Sequence, residues 1–210
     1  MLIEYYGHSC FALTSGSTKI VLDPYGPEVG YKMPQRAAAI TTVSHDHFDH
    51  NHTAAVLGRT TVVRGGAPRQ EGTVKIRGVL ADHDSQGGSR LGKVTLFCLE
   101  LEGLRVVHLS DLGHLLNAEQ IAEIGKVDVL FVPCGGGDYT LGAAEADKVV
   151  QVLQPALAIP MHYRTPFLNR SLFPDLEGVD KFKAARGSSE LKVTASDLGS
   201  PRRIAMSHLF

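Results

Sequence analysis

Short apolar runs broken by turn residues fill the first hundred positions, and helix-spaced apolar patterns appear only later. Residues 2–6, 10–14 and 19–22 are β-type runs, and Ser15-Gly16-Ser17 is placed to turn the second into the third. Residues 38–43 form an unbroken apolar and β-branched run, the pattern of a strand buried on both faces, and it stops at Ser44. Further strands are expected at 60–63, 74–79, 93–101 and 104–109, the last two joined by Glu102-Gly103 as a tight hairpin. Asn117 followed three positions on by Gln120 is a capping-box pair, which predicts a helix over 118–125 with Ile121 and Ile124 on its apolar face. A strand follows at 127–132. Ala146, Val149, Val150 and Leu153 then recur at helical spacing until Pro155 stops the pattern, and 156–160 is again a short buried strand. A last helix is expected over 175–185 and last strands at 191–194 and 202–206. Neither a repeat nor a linker divides the chain, so residues 1–210 read as one domain.

Composition narrows the class. The chain is 43% apolar and 20% charged, ordinary for a packed core and too apolar for disorder. Lys+Arg 21 against Asp+Glu 22 gives a net charge of −1, so the whole chain offers no electrostatic drive toward nucleic acid or an anionic membrane. No apolar run approaches the roughly 18 residues of a membrane span, and the opening residues lack a basic stretch followed by an apolar one. Three widely spaced cysteines, Cys10, Cys98 and Cys134, argue against a disulfide framework and for a reducing, cytoplasmic setting. Cys134 reads as a small buried hydrophobe.

The chemistry gathers after the buried strands. Ser44-His45-Asp46-His47-Phe48-Asp49-His50 follows one, His108 to Asp111 follows another, and His162 a third. Polar residues at strand exits, on loops held by a rigid sheet, are where α/β proteins build sites. Two histidines two apart in an extended turn can point at a common centre, and the next Asp-His pair can serve a second centre nearby. Imidazole with carboxylate suits zinc, manganese or iron, whereas a thiolate site needs cysteines that this stretch lacks.

This His-x-His-x-Asp-His run resembles that of the metallo-β-lactamase-fold hydrolases, and the resemblance extends over nearly the whole chain. The family's motifs find matches in order: Asp23 in Leu22-Asp23-Pro24, residues 45–50, His83 in Asp82-His83-Asp84, Asp111 in Ser110-Asp111-Leu112-Gly113-His114, and His162 in Pro160-Met161-His162-Tyr163. Gly7-His8-Ser9-Cys10-Phe11 and Val132-Pro133-Cys134-Gly135-Gly136 look like the branch that includes bacterial lactonases acting on phosphorylated ascorbate lactone. The resemblance implies a four-layer αββα sandwich, two mixed β-sheets flanked by helices, with metals at one edge. It implies that His45, His47 and His83 hold one divalent ion, that Asp49, His50 and His162 hold a second, and that Asp111 bridges them, with zinc foremost and manganese or iron as alternatives. Seven ligands of this type are also what two adjacent ions need while keeping positions open for water and substrate. By residue type alone, Asp84 competes with His83, and His108 and His114 compete with Asp111. Asp111 is preferred because a carboxylate can bridge two cations and an imidazole cannot. Asp23 resembles the family's supporting aspartate, which orients a ligand histidine.

The reaction implied is metal-assisted hydrolysis of a small-molecule ester, lactone or phosphoester by hydroxide held between the ions, with Asp49 orienting the water or moving its proton and Asp111 as the second catalytic carboxylate. His8, His114, Tyr139, Thr140, Tyr163 and Arg164 lie beside the motifs and are candidates for substrate contact. Gly135-Gly136-Gly137 offers a close backbone approach. The loop 165–174, with Phe167 and Phe173, is placed either to cover the site or to pack on the body. Two other readings use the same scaffold: an iron-dependent oxidoreductase resembling persulfide dioxygenases, and an RNA-processing phosphodiesterase. His47 stands where the two-iron group typically has a glutamate, and 210 near-neutral residues leave little room for an RNA-binding arm. The expected partner is therefore a small molecule, without nucleic acid or membrane. Members of the lactonase branch often self-associate, so a homo-oligomer fits the resemblance.

Overall fold

Alternate side chains of the central strands enter different cores, and this two-sided burial explains why their sequences are continuously apolar. In the computed structural model, which describes residues 1–186 and the backbone of 205–208, the strands are β1 (Leu2–Gly7), β2 (Cys10–Ser15), β3 (Thr18–Leu22), β4 (Arg36–Ala37), β5 (Ile40–Val43), β6 (Val56–Leu57), β7 (Thr61–Arg64), β8 (Arg69–Glu71), β9 (Val74–Asp82), β10 (Lys93–Leu101), β11 (Leu104–His108), β12 (Val129–Pro133), β13 (Leu157–Met161) and β14 (Ala205–His208). The helices are α1 (Ala118–Ile124), α2 (Ala143–Leu153) and α3 (Val179–Arg186). One six-stranded sheet has the order β14-β1-β2-β3-β5-β7 and the other β13-β12-β11-β10-β9-β8, and β4 pairs with β6. Both large sheets mix parallel and antiparallel pairs.

Phe11 and Leu13 of β2, Phe97 and Leu99 of β10, and Val129 and Phe131 of β12 meet between the sheets. The alternate residues Val94, Leu96 and Cys98 of β10, with Leu130 and Val132 of β12, face Ile124 of α1, Phe182 of α3 and the Ala146, Val149, Val150, Leu153 stripe of α2. The α1 capping box forms as its sequence predicts, with Asn117 Oδ1 accepting from the Gln120 backbone and the Gln120 side chain accepting from the Asn117 N–H.

The opposite outer face carries Tyr6, Cys10, Ala12 and Val21. Among the described residues it is covered by loops and two 3-10 turns, Pro27–Val29 and Thr53–Ala55, through Tyr25, Val29, Tyr31, Val56, Leu168, Phe173 and Leu176. Pro24, Gly26, Pro27, Gly30 and Pro34 in one covering segment, and Pro166 and Pro174 in the other, keep these segments out of α-helix.

Several element boundaries move. The expected strand at 38–43 begins at Ile40, the one at 74–79 runs on to Asp82, and the helix expected from 175 starts at Val179 after Pro174. β4, β6 and β8 carry no apolar alternation and had no signal in the sequence. The expected strand at 202–206 overlaps β14, whereas 191–194 lies outside the described residues. No helix among the described residues is long and apolar enough to cross a membrane.

Topology then places the chemistry. β1, β3 and β5 run parallel to one another, as do β9, β11 and β13 in the second sheet. Their C-terminal ends release His8, Asp23, Ser44, His83, Asp111 and His162 within three residues of each strand end. Phe131 is fully buried and stacks on Phe11 at 4.1 Å between the sheets that hold these ends together. Phe131→Ala is expected to lose about 3–5 kcal/mol of unfolding free energy in a denaturant titration, and a loss below about 1 kcal/mol would show that the inter-sheet core does not carry the fold.

Candidate metal centre

Asp111 Oδ2 is the convergence point. It lies 3.0 Å from His50 Nε2, 3.3 Å from His162 Nε2, 3.4 Å from His83 Nε2 and 3.9 Å from His45 Nε2. His45 Nε2 and His47 Nδ1 face each other at 3.0 Å. Three overlapping groups offer ligand atoms that lie within 4.8 Å of one another: His45, His47 and His83; His45, His50 and Asp111; and His8, Asp49, His50 and His162. The structure therefore brings together all seven residues proposed as ligands from the sequence, drawn from positions 45 to 162.

The donor set fits divalent cations. Ligand atoms about 2.0–2.1 Å from one tetrahedral ion lie roughly 3.3 Å apart, close to the separations above. His50 Nε2, His83 Nε2, His162 Nε2 and Asp111 Oδ1 are buried without a hydrogen-bond partner, which is costly unless a cation engages them.

Competing residues are occupied elsewhere. Asp84 turns its carboxylate to the backbone N–H groups of Gln86, Gly88, Arg90 and Leu91, and these bonds lower its pKa to about 2, the Leu91 bond foremost. His108 Nε2 donates to the Ser9 carbonyl at 2.8 Å, tying β11 to the β1–β2 turn. His114 accepts from the Asp82 N–H and donates to the Leu115 carbonyl, so both ring nitrogens serve the backbone.

Asp23 organises the ligands from behind. Its Oδ2 accepts from His50 Nδ1 at 2.9 Å, Ser44 Oγ at 2.6 Å and Ser110 Oγ at 2.9 Å, and its Oδ1 accepts from the Ser44 N–H at 3.0 Å. Ser44 Oγ also lies 2.9 Å from His45 Nδ1. Because Ser44 gives its proton to Asp23, its lone pair receives the His45 Nδ1 proton, which leaves His45 Nε2 free for a cation. One carboxylate thus orients His50 directly and His45 through a hydroxyl. Ser44 and Ser110 carry no functional motif of their own in the sequence. Their signal is position alone, each directly preceding a motif residue.

Protonation follows from packing. Burial drives the His45 imidazole down to about 3, helped by His50. Burial raises the carboxyls of Asp111, Asp49 and Asp23, but the surrounding histidines outweigh it: His162 and His50 hold Asp111 well below the carboxylate range, His50 and His8 do so for Asp49, and His50 and His108 lower Asp23. Against the opposing effect of burial, Asp111 and Asp49 raise His50 well above the usual imidazole value. The carboxylates are thus ionised, as ligands must be.

His8, a substrate candidate from its sequence position, is fully buried and hydrogen-bonds Asp49 Oδ2 through Nε2 at 2.9 Å. Its ring packs 4.0 Å from that of His162 and 5.0 Å from Phe173, and burial lowers its pKa to about 4. It supports Asp49 rather than facing a substrate. Tyr163 is largely enclosed by both cores, which raises its pKa to about 12. Arg164 is exposed, and its backbone bridges to Gly178. Tyr139 and Thr140 line a recess together with His83. The 165–174 loop packs on the body through Leu168 and Phe173, and Phe173 also walls His8 and His162. Burial pushes the Cys134 thiol up to about 12, in keeping with an inert residue.

Backbone strain collects here. Among the described residues, four of the six non-glycine residues with positive φ are His8, Asp23, Ser110 and His162. Two glycines permit the close approach: a Cβ at Gly113 would collide with the His83–Asp84 peptide, and one at Gly135 with the His162 carbonyl.

The family model described as "Beta-lactamase superfamily domain" matches residues 2–162. A Methanoregula boonei protein named UPF0173 metal-dependent hydrolase is 30% identical, over 79% of this chain and 83% of its own. A Thermoplasma acidophilum protein of the same description is 26% identical over 96% and 98%. The solved structure of a Thermotoga maritima protein, described as a candidate Zn-dependent hydrolase of the metallo-beta-lactamase superfamily, is similar at TM-score 0.75 and 35% identity, covering 98% of this chain and 97% of that one. The diiron β-hydroxylase CmlA from Streptomyces venezuelae, at 15% identity and TM-score 0.58 over 76% of this chain and 44% of that one, shares the fold alone.

Removing the Ser44 hydroxyl should loosen the site it orients. Ser44→Ala is expected to weaken zinc binding about 10–100-fold in a chelator competition, and Ser44→Thr to restore it. Unchanged affinity in Ser44→Ala would remove the hydroxyl from the account.

Proposed function

The chain belongs to the beta-lactamase superfamily, and from that premise we propose that it is a metal-dependent hydrolase of small-molecule esters, lactones or phosphoesters. The observation that carries the reading is the meeting of five imidazoles and a second carboxylate, Asp49, around Asp111 at the strand ends. His45, His47 and His83 would hold one ion, Asp49, His50 and His162 a second, and Asp111 both. Zinc suits the imidazole-rich set best, and manganese and iron are also compatible. The names of the relatives support hydrolysis without selecting a substrate.

Divalent ions bound there supply Lewis acidity and bring the pKa of water toward ~7. The chain's own residues then divide the work. Asp49, kept ionised by His50 and His8, orients the attacking water and takes up its proton. Asp111 fixes the spacing of the two loci. Asp23, with Ser44 and Ser110, holds His50 and His45 in the tautomers that present Nε2. Phe173 and the two sheets exclude bulk water from the buried side of the centre, which strengthens every charge interaction within it. Three free, buried cysteines support a reducing, cytoplasmic setting.

The test is a panel of a lactone, a thioester, a carboxylic ester and a phosphodiester, run on chelator-treated and zinc-reloaded protein. At least one substrate is expected to turn over only after reloading, with His162→Ala and Asp49→Asn each losing about 100-fold or more in kcat/KM. Turnover that survives chelation, or variants that keep full metal and full activity, would refute the proposal.

A further inference from the structure

The loop that delivers His83 goes on to build a second feature. From Asp84 to Leu91 it is wound around one carboxylate, with Asp84 Oδ1 accepting from Gln86 and Gly88 and Oδ2 from Arg90 and Leu91, all at 2.8–2.9 Å. The His83 N–H closes it on the Gly92 carbonyl at 3.0 Å. This fixed loop carries Arg90 over a polar recess of about 160 Å³ that opens beside His83, and Gln86, Tyr139 and Thr140 contribute to the lining.

Among the described residues Arg90 is the only lysine or arginine lining the recess, and two of the three carboxylates beside it accept from backbone N–H groups. Asp84 is saturated by backbone N–H groups, and Glu145 Oε2 accepts from the Gly142 N–H at 3.0 Å. Asp138 meets Arg90 through one long contact of 3.3 Å, with side chains 81% and 45% exposed. An exposed, single-contact ion pair is weak and exchanges readily. It leaves most of the guanidinium fork free to take a carboxylate or a phosphate.

We propose that Arg90 determines specificity, binding an anionic group, carboxylate or phosphate, of a substrate whose reacting bond lies at the metal centre. The inference rests on the metal-dependent reading, because two divalent ions held by two ligand carboxylates leave the centre positive and favour an anionic substrate. Asp138 is then the competitor that an incoming anion displaces. This assigns opposite signs to the two residues, which a merely structural ion pair would not show.

The experiment is calorimetric titration of zinc-loaded protein, its zinc content measured first, with succinate, glutarate, 3-phosphonopropionate and, as the singly charged control, butyrate. At least one of the multiply charged anions is expected to bind tenfold or more tightly than butyrate. Arg90→Gln should abolish that difference, Asp138→Asn should widen it severalfold, and butyrate should bind all three proteins alike. Ranking the phosphonate against the dicarboxylates separates a phosphate from a carboxylate group. Equal binding of all four anions by the zinc-loaded wild type, a preference that survives Arg90→Gln, or loss of preference in Asp138→Asn would overturn the inference and leave the hydrolase reading intact. A wild type that takes up no zinc would instead sink the hydrolase reading.

Discussion

Four imidazole nitrogens crowd one buried carboxylate oxygen, and the organisation of the centre follows from that congestion. Asp111 Oδ2 cannot satisfy His45, His50, His83 and His162 together, since one oxygen offers too few lone pairs, while Oδ1 is left without a hydrogen-bond partner and Asp49 adds a second buried negative charge. Protons ease part of the conflict, since Asp111 and Asp49 push the His50 pKa up against burial, and His162 and His50 push that of Asp111 down. Divalent cations settle it more completely, because each engages several donors at once and counters both carboxylates without needing charged imidazoles.

The scaffold is arranged to tolerate this cluster. Two sheets packed through Phe11, Phe97, Leu99 and Phe131 form a stiff base, and parallel strands in each release their polar residues at one edge. Left-handed backbone at His8, Asp23, Ser110 and His162 costs about 1 kcal/mol or more at each residue. The inter-sheet core and the hydrogen bonds on Asp23 offset that strain. Rigid placement of this kind keeps ligands poised at a fixed spacing, and the pocket walls select what reaches them.

Much of this was legible in the chain. The buried run ending at Ser44 fixes where the first motif leaves its sheet, and the resemblance of the motifs from His45 to His162 to those of the metallo-β-lactamase-fold hydrolases implies their convergence. Asp111 is favoured over His108 and His114 by the resemblance and by the ability of a carboxylate to bridge two cations, and the structure turns His108 and His114 to backbone partners. Other features depend on contacts between distant segments and leave no local trace. Ser44 and Ser110 look like ordinary loop residues until Asp23 is seen between them. His8 appears free to meet substrate until the sheets bury it against Asp49. The cover over Tyr6 and Val21 is built from proline-broken loops whose apolar residues have no period. β4 and β8 are short strands whose own residues are largely exposed, so burial wrote no pattern into them.

Whether the cluster holds a pair of ions is decided by elemental analysis of the protein purified without added metal, repeated after equilibration with zinc and removal of the excess. Two equivalents of divalent metal per chain are expected after equilibration, falling when Asp111 is replaced by asparagine. A wild-type protein that retains less than about half an equivalent would contradict this expectation, because the buried imidazoles and carboxylates would then be stable together with no cation between them.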